Sequence, residues 1–170
     1  ISGDNSRSMV LSALESEPDG YMMKPFSQEQ LRQRLQRALL RKQQLKELFI
    51  SLDKNDYPAV IRHCQQAIDE GTKFATFCRC LMAEMHMRLE NPAAARTILR
   101  SGLAAGESSW LRLGLGKACY LLGQYDDAIA HLHTALRLRP LMIDAYRWLS
   151  AALLESNNPQ EAIETLSRAT

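Results

Sequence analysis

No hydrophobic run in this sequence approaches the ~18 residues that a membrane span requires. Charge of one sign is also lacking: 21 Lys and Arg stand against 19 Asp and Glu, a net charge of +2. That near-balance argues against a dedicated nucleic-acid or membrane-surface binder. With 8 glycines and 6 prolines the chain is too poor in both for a turn-rich sandwich or barrel, and aromatics are only 6%. Leu, Ala, Arg and Gln are plentiful instead, which favours helix. At 46% hydrophobic, the 170 residues are too apolar for a disordered chain. They suffice for one cored domain, or one and a half.

The four cysteines, Cys64, Cys78, Cys80 and Cys119, fit no zinc spacing, because one residue separates Cys78 from Cys80 and no second pair follows. On a helix those two side chains point about 200° apart. The expectation is reduced, mostly buried thiols in a cytoplasmic protein. The sequence starts at Ile1 with no signal-peptide pattern, so it reads as a fragment.

An internal repeat dominates the rest. Val60, Ala94, Ala128 and Ala162 are 34 residues apart. Ala67, Ser101, Ala135 and Ala169 follow seven later, all small. Cys64, Ile98, Leu132 and Leu166 form an apolar set, and Glu47, Leu81, Leu115 and Leu149 a set with Leu in three of four places. The register is expected to hold without insertion from residue 41 onward. A two-helix unit cannot bury its apolar faces alone, so such units stack. Small residues mark close helix crossings, and larger ones fill the layers between. Asn55-Asp56-Tyr57-Pro58, Glu90-Asn91-Pro92, Gly123-Gln124 and Asn157-Asn158-Pro159 are the turns inside units; Gly71, Gly106 and Pro140 separate units. Eight repeat helices are expected near 41–53, 57–70, 74–89, 92–104, 108–122, 125–137, 142–156 and 159–169.

These residues resemble the tetratricopeptide repeat (TPR). The third unit matches best, with Leu115-Gly116, Gly123, Tyr125, Ala128, Leu132, Ala135 and Pro140. In the fourth, Ser150 replaces the Gly; the second has Met82 there, and the first has Glu47 where Leu is usual. The resemblance implies an all-α solenoid of four hairpins, 41–74, 75–108, 109–142 and 143–170.

Residues 1–40 fall outside the repeat. A helical face (Met9, Val10, Ala13, Leu14), a turn at Pro18-Asp19-Gly20 and a short apolar strand from Tyr21 precede a helix capped by Ser27 that is expected to bury Leu31, Leu35 and Leu39. Gly20-Tyr21-Met22-Met23-Lys24-Pro25-Phe26, with Ser2 upstream, resembles the end of a response-regulator receiver domain. The resemblance implies that Ser2 and Lys24 contact an aspartyl phosphate, that Tyr21 is an aromatic switch, and that Lys24-Pro25 is a cis peptide. The first three strands, the acidic pocket and the accepting Asp of an α/β receiver are absent, so 1–40 would be a remnant that holds its last two strands and last two helices. A complete receiver would bind Mg2+; no cofactor is expected for this stretch. From Ser27 to about Leu52 no Gly or Pro intervenes, so the last receiver helix is expected to run unbroken into the first repeat helix.

Catalytic and metal constellations are not compelling. His131-x-His133 is an i,i+2 pair that shares no helix face. His63-Cys64 occupies a repeat layer, and Gly114-x-Gly116 has no preceding strand. The basic run Arg32–Lys46 reads as a solvated face, and Met82 and Met85 as core filling. In TPR arrays the first helix of each unit lines a groove. Carried over, that resemblance assigns Arg79, His86, Trp110, Leu113, Lys117, Tyr120 and Arg147 to partner binding, with Lys42, Leu45 and Phe49 in the first unit. The expected function is therefore non-catalytic: a bacterial response regulator whose TPR array mediates phosphorylation-controlled interaction. A histidine kinase, a groove-bound protein or peptide and a homodimer are the implied partners. A plain TPR scaffold, or the docking arm of a larger enzyme, is the alternative.

Overall fold

The computed structural model describes residues 27–168, and these are all helix and turn. The expectations for Ser2, Tyr21, Lys24 and Pro25 lie outside the described residues. Nine helices are described: α1 (Gln28–Gln44), α2 (Lys46–Asp53), α3 (Tyr57–Asp69), α4 (Ala75–Arg88), α5 (Pro92–Ala105), α6 (Ser109–Leu121), α7 (Tyr125–Leu138), α8 (Ile143–Glu155) and α9 (Pro159–Ser167). The eight expected repeat helices are all present. The chain divides into two compact units, one ending at Phe77 and the other beginning at Cys78. Among the described residues no helix is long and apolar enough to cross a membrane.

In the first unit, Ser27 starts α1 through a capping box: its Oγ accepts from the Gln30 N–H at 3.2 Å, and Gln30 Oε1 accepts from the Ser27 N–H at 3.0 Å. The helix continues past residue 41 but is interrupted at Leu45 (φ −108°, ψ 27°), which corrects the unbroken junction helix. Two phases of apolar residues explain the break. Leu31, Leu35 and Leu39 lie along one face, whereas Leu45, Leu48 and Leu52 lie on a face roughly 100° away at 100° per residue. The second set is buried with Ala59, Val60, Cys64, Phe74 and Phe77. The first set is exposed at 40, 55 and 66%, not buried as the sequence suggested. Arg41 lies over the Phe77 ring at 5.0 Å, and Phe49 packs 6.2 Å from that ring.

Each hairpin closes through the same turn. Asn55, Glu90, Gly123 and Asn157 all have positive φ, between 55° and 70°. After each, an N–H reaches back five residues: Asp56 to Ser51, Asn91 to His86, Gln124 to Cys119 and Asn158 to Leu153. The positive-φ residue itself donates three residues back, as Gly123 does to Tyr120 at 2.9 Å. Together these bonds satisfy two terminal carbonyls of the outgoing helix. The next helix starts at once, with Asp56 accepting from the Ala59 N–H at 3.0 Å and Asn91 from the Ala94 N–H at 3.1 Å.

The turns also show a slip in the repeat. Counted from each positive-φ residue, the small buried position is the fifth: Val60, Ala95, Ala128 and Ala162. In the second hairpin the buried set is thus Ala95, Leu99 and Gly102, one residue later than a strict 34 would place it. The run Ala93-Ala94-Ala95 conceals the shift.

In the second unit, Ala83, Ala95, Leu99, Leu111, Leu115 and Ala118 form one core layer. Leu113, Cys119, Ala128, Leu132, Met142, Ala145 and Leu149 belong to the next. Among the described glycines Gly116 has the least room: a Cβ there would lie 2.7 Å from Leu132 Cδ2 and closer still to its Cγ. Met82 and Met85 are buried, as are Cys64, Cys78 and Cys119, with Cys80 half-buried. Gly116→Ala should destabilise by about 1–3 kcal/mol through overpacking, despite the better helix propensity of Ala. Glu90→Gly should stabilise by about 1 kcal/mol, because only Gly adopts positive φ without a Cβ penalty. Paired denaturant titrations check both signs.

Candidate functional site

One face of the second unit is built by α4, α6 and α8. Lys117 on α6 donates to Glu84 Oε2 on α4 at 2.5 Å. The other Glu84 oxygen lies 3.4 Å from Arg88 Nε. Lys117 Nζ also sits 5.6 Å from the centre of the Trp148 ring on α8. Tyr120 meets Trp148 edge-on at 5.3 Å, and Tyr125 lies 5.6 Å from Tyr120. A continuous string, Arg88–Glu84–Lys117–Trp148–Tyr120, therefore crosses three helices. Lys117 and Glu84 are each about one-fifth exposed. That is buried enough to hold a fixed geometry, and open enough for one edge to meet solvent.

The sequence-expected groove residues divide. Lys117 and Tyr120 come together on Trp148. Arg147 is exposed on α8, with Asp144 a loose partner at 3.5 Å. His86 is half-buried, and burial pushes its imidazole below the usual range. Arg79 is half-buried, its stem packed where a Cβ on Gly102 would be 3.0 Å from Arg79 Cδ. Trp110 lies seven residues before Lys117, about 10 Å along α6. There the Arg139 guanidinium covers its ring at 5.3 Å, and its indole N–H is buried with no hydrogen-bond partner. Leu113 is only 5% exposed and packs into the core, so it is not a surface residue. Leu45, at 3% exposed, is core for the same reason. Glu84 and Trp148 were not singled out from the sequence. They sit one position away from the usual groove positions, and their partners are 33 and 31 residues distant.

A second polar cluster ties α6 to α7. Arg112 makes two 2.7 Å bonds to the Glu107 carboxylate and donates from Nη1 to His131 Nδ1 at 3.1 Å. With the arginine donating, His131 must be the neutral Nε2–H tautomer. Burial first, and the Arg112 charge second, hold the His131 imidazole below its ordinary value. The Arg112 hydrogen bond likewise holds the Glu107 carboxyl low. His133 points instead towards Glu161 on α9, 3.8 Å away. The two histidines thus serve different neighbours, and no metal-holding group of three is found among the described residues. Burial pushes the Cys119 thiol up, away from the reactive thiolate form. A cleft of about 820 Å³ between α7, α8 and α9 is lined by both signs of charge, with Arg137, Arg168, Glu161 and Glu164 among its walls.

The hairpin stack, its recurring positive-φ turn and the Gly116 crossing define a helical-repeat solenoid of the two-helix type. More narrowly, residues 80–132 and 120–170 each match the tetratricopeptide repeat family, and this part of the chain carries tetratricopeptide repeats. Among solved structures the chain is similar to YrrB, described as a TPR protein with an unusual peptide-binding site, at 19% identity and a TM-score of 0.61, covering 72% of this chain. The chain spans 63% of the YrrB chain. It is also similar to MamA, at 17% identity and a TM-score of 0.65, over 98% of this chain and 85% of that one. A second MamA structure gives 17% and 0.60, over 98% and 91%. No curated protein matches the sequence.

The His131 site predicts a pH dependence. Its folded pKa lies below the ordinary 6.5, so the unfolded chain takes up the proton first as pH falls. The stability it contributes is complete above about 6.5 and declines below it. His131→Gln keeps an acceptor for Arg112 but does not titrate. Between pH 7.5 and pH 5 the melting temperature of the native protein should fall further than that of the variant. His86, shifted in the same direction, is common to both chains and cancels.

Proposed function

We propose that the protein is a non-catalytic interaction scaffold, and that a protein or peptide segment binds across the face of α4, α6 and α8. The observation that supports this reading is the Glu84–Lys117–Trp148–Tyr120 string beside the exposed Arg147. Fixed aromatic edges next to charges are what binding hot spots use. Trp148 and Tyr120 offer an apolar platform for a large side chain. Arg147 offers a cation for a carboxylate. Lys117 is already engaged by Glu84, so an acidic ligand group finds Arg147 first. The peptide-binding site in the description of YrrB is a parallel on a related fold.

Peptides selected from a random library displayed against the whole chain test this reading. Trp148→Ala should weaken their binding by about 1–3 kcal/mol, with helicity unchanged by circular dichroism. Equal affinity in the variant, or failure to select any peptide, counts against it.

The finer reading adds phosphorylation control by a histidine kinase. Its support is the sequence Tyr21 to Phe26 with Ser2. The adaptor reading requires a receiver with an accepting Asp and an Mg2+ site in the full-length protein, and sequencing the gene upstream of Ile1 decides it. The plain scaffold needs none of this.

A further inference from the structure

We propose that Glu84 sets the charge of the bound segment. From within the chain it takes the place beside Lys117 that a ligand carboxylate would take. The face of α4, α6 and α8 then accepts a segment with one acid beside a large apolar side chain, and rejects a segment with two acids. This inference rests on the scaffold reading above and adds to it the residue that determines specificity.

Glu84 is held by two cations. One carboxylate oxygen accepts from Lys117 Nζ at 2.5 Å, across from α4 to α6. The other lies 3.4 Å from Arg88 Nε, one turn further along α4. The Glu84, Lys117 and Arg88 side chains are only 20, 21 and 23% exposed. Salt and water therefore screen them less than they screen Arg147 and Asp144, whose side chains are 60 and 33% exposed. A carboxylate tied to both cations does not swing aside to admit another.

Lys117 is enclosed as well, with the Trp148 ring 5.6 Å from its Nζ. A ligand acid bonded to the same Nζ would stand at most about 5.5 Å from the Glu84 oxygen, because two hydrogen bonds would share one nitrogen. Two carboxylates that close in a partly desolvated site repel each other. Arg147 differs, because its partner Asp144 is loose at 3.5 Å and its side chain is mostly exposed. One ligand acid is accommodated there, and Trp148, the next residue on α8, takes the apolar neighbour. Specificity thus comes from a repulsive group built into the site as well as from the attractive ones.

Panning one random peptide library on the native chain and on Glu84→Gln tests this. Gln keeps the volume of Glu84 and still accepts from Lys117, but carries no charge. Peptides selected on the native chain should carry one acid beside an aromatic or large apolar residue, and those selected on the variant two or more. A doubly acidic peptide from the variant pool should bind Glu84→Gln at least about tenfold more tightly than the native chain. That gain should vanish when Lys117→Gln is added, because the cation it unmasks is gone. An arm without a variant guards against loss of fold, which circular dichroism reads. In a peptide selected on the native chain, Glu placed beside the first acid should weaken binding to the native chain about tenfold relative to Gln there. Equal acid content in the two pools overturns the proposal, as does equal affinity of the doubly acidic peptide, or a gain that survives Lys117→Gln. Peptides that weaken in Trp148→Ala but ignore Glu84 leave the scaffold reading standing and overturn this one alone. A library that yields no peptide on either chain overturns both.

Discussion

The approach of α6 to α7 at Gly116 sets the spacing on which the second unit depends. A Cβ there would collide with the side chain of Leu132, which is fully buried and has nowhere to move. With the two helices this close, Leu115 and Ala118 reach the layer before the hairpin, and Leu113 and Cys119 the layer after it. The fourth hairpin meets the same constraint differently. Ser150 stands at the glycine's register and donates its hydroxyl to the Ala162 carbonyl at 3.2 Å. A buried hydroxyl is tolerated at a crossing when its hydrogen bond is made.

That constraint is also why so much of the fold was legible. A position that must be small, or must be a buried Leu, leaves a mark every time the unit recurs. The turns left a weaker mark, because the backbone demands positive φ but Asn55, Glu90, Gly123 and Asn157 meet that demand with three residue types. The slip in the second hairpin was hidden for a related reason. Where Ala93, Ala94 and Ala95 follow one another, composition cannot say which of them faces the core, and only the turn geometry fixes it.

The candidate site was half legible. Lys117 and Tyr120 stand at groove positions, and the structure brings them together on Trp148. Leu113 has an expected groove position too, but it is buried in one core cluster with Met142 and Ala145 of the next hairpin. Glu84 and Trp148 escaped notice because their importance lies in pairs between helices, which a single-chain periodicity does not display. The pairing has a chemical consequence. By holding Lys117 at 2.5 Å, Glu84 converts a cation that the sequence offers to a ligand into part of the wall.

Exposure in a stacked array is thus a property of the neighbour as much as of the residue. Leu132 and Leu166 are the same amino acid at the same register, yet one is fully buried and the other is half exposed. The periodicity of Leu31, Leu35 and Leu39 has the same ambiguity. A helical stripe shows that one face is apolar and does not show what covers it. The break at Leu45 separates that stripe from the phase of Leu48 and Leu52, so a single rigid helix could not bury both sets against the same neighbour. The bend lets the first repeat hairpin satisfy its own core and leaves the α1 stripe facing solvent. Its apolar surface, about 25 cal/mol for each Å² that could be withdrawn from water, is free energy that the described fold does not use.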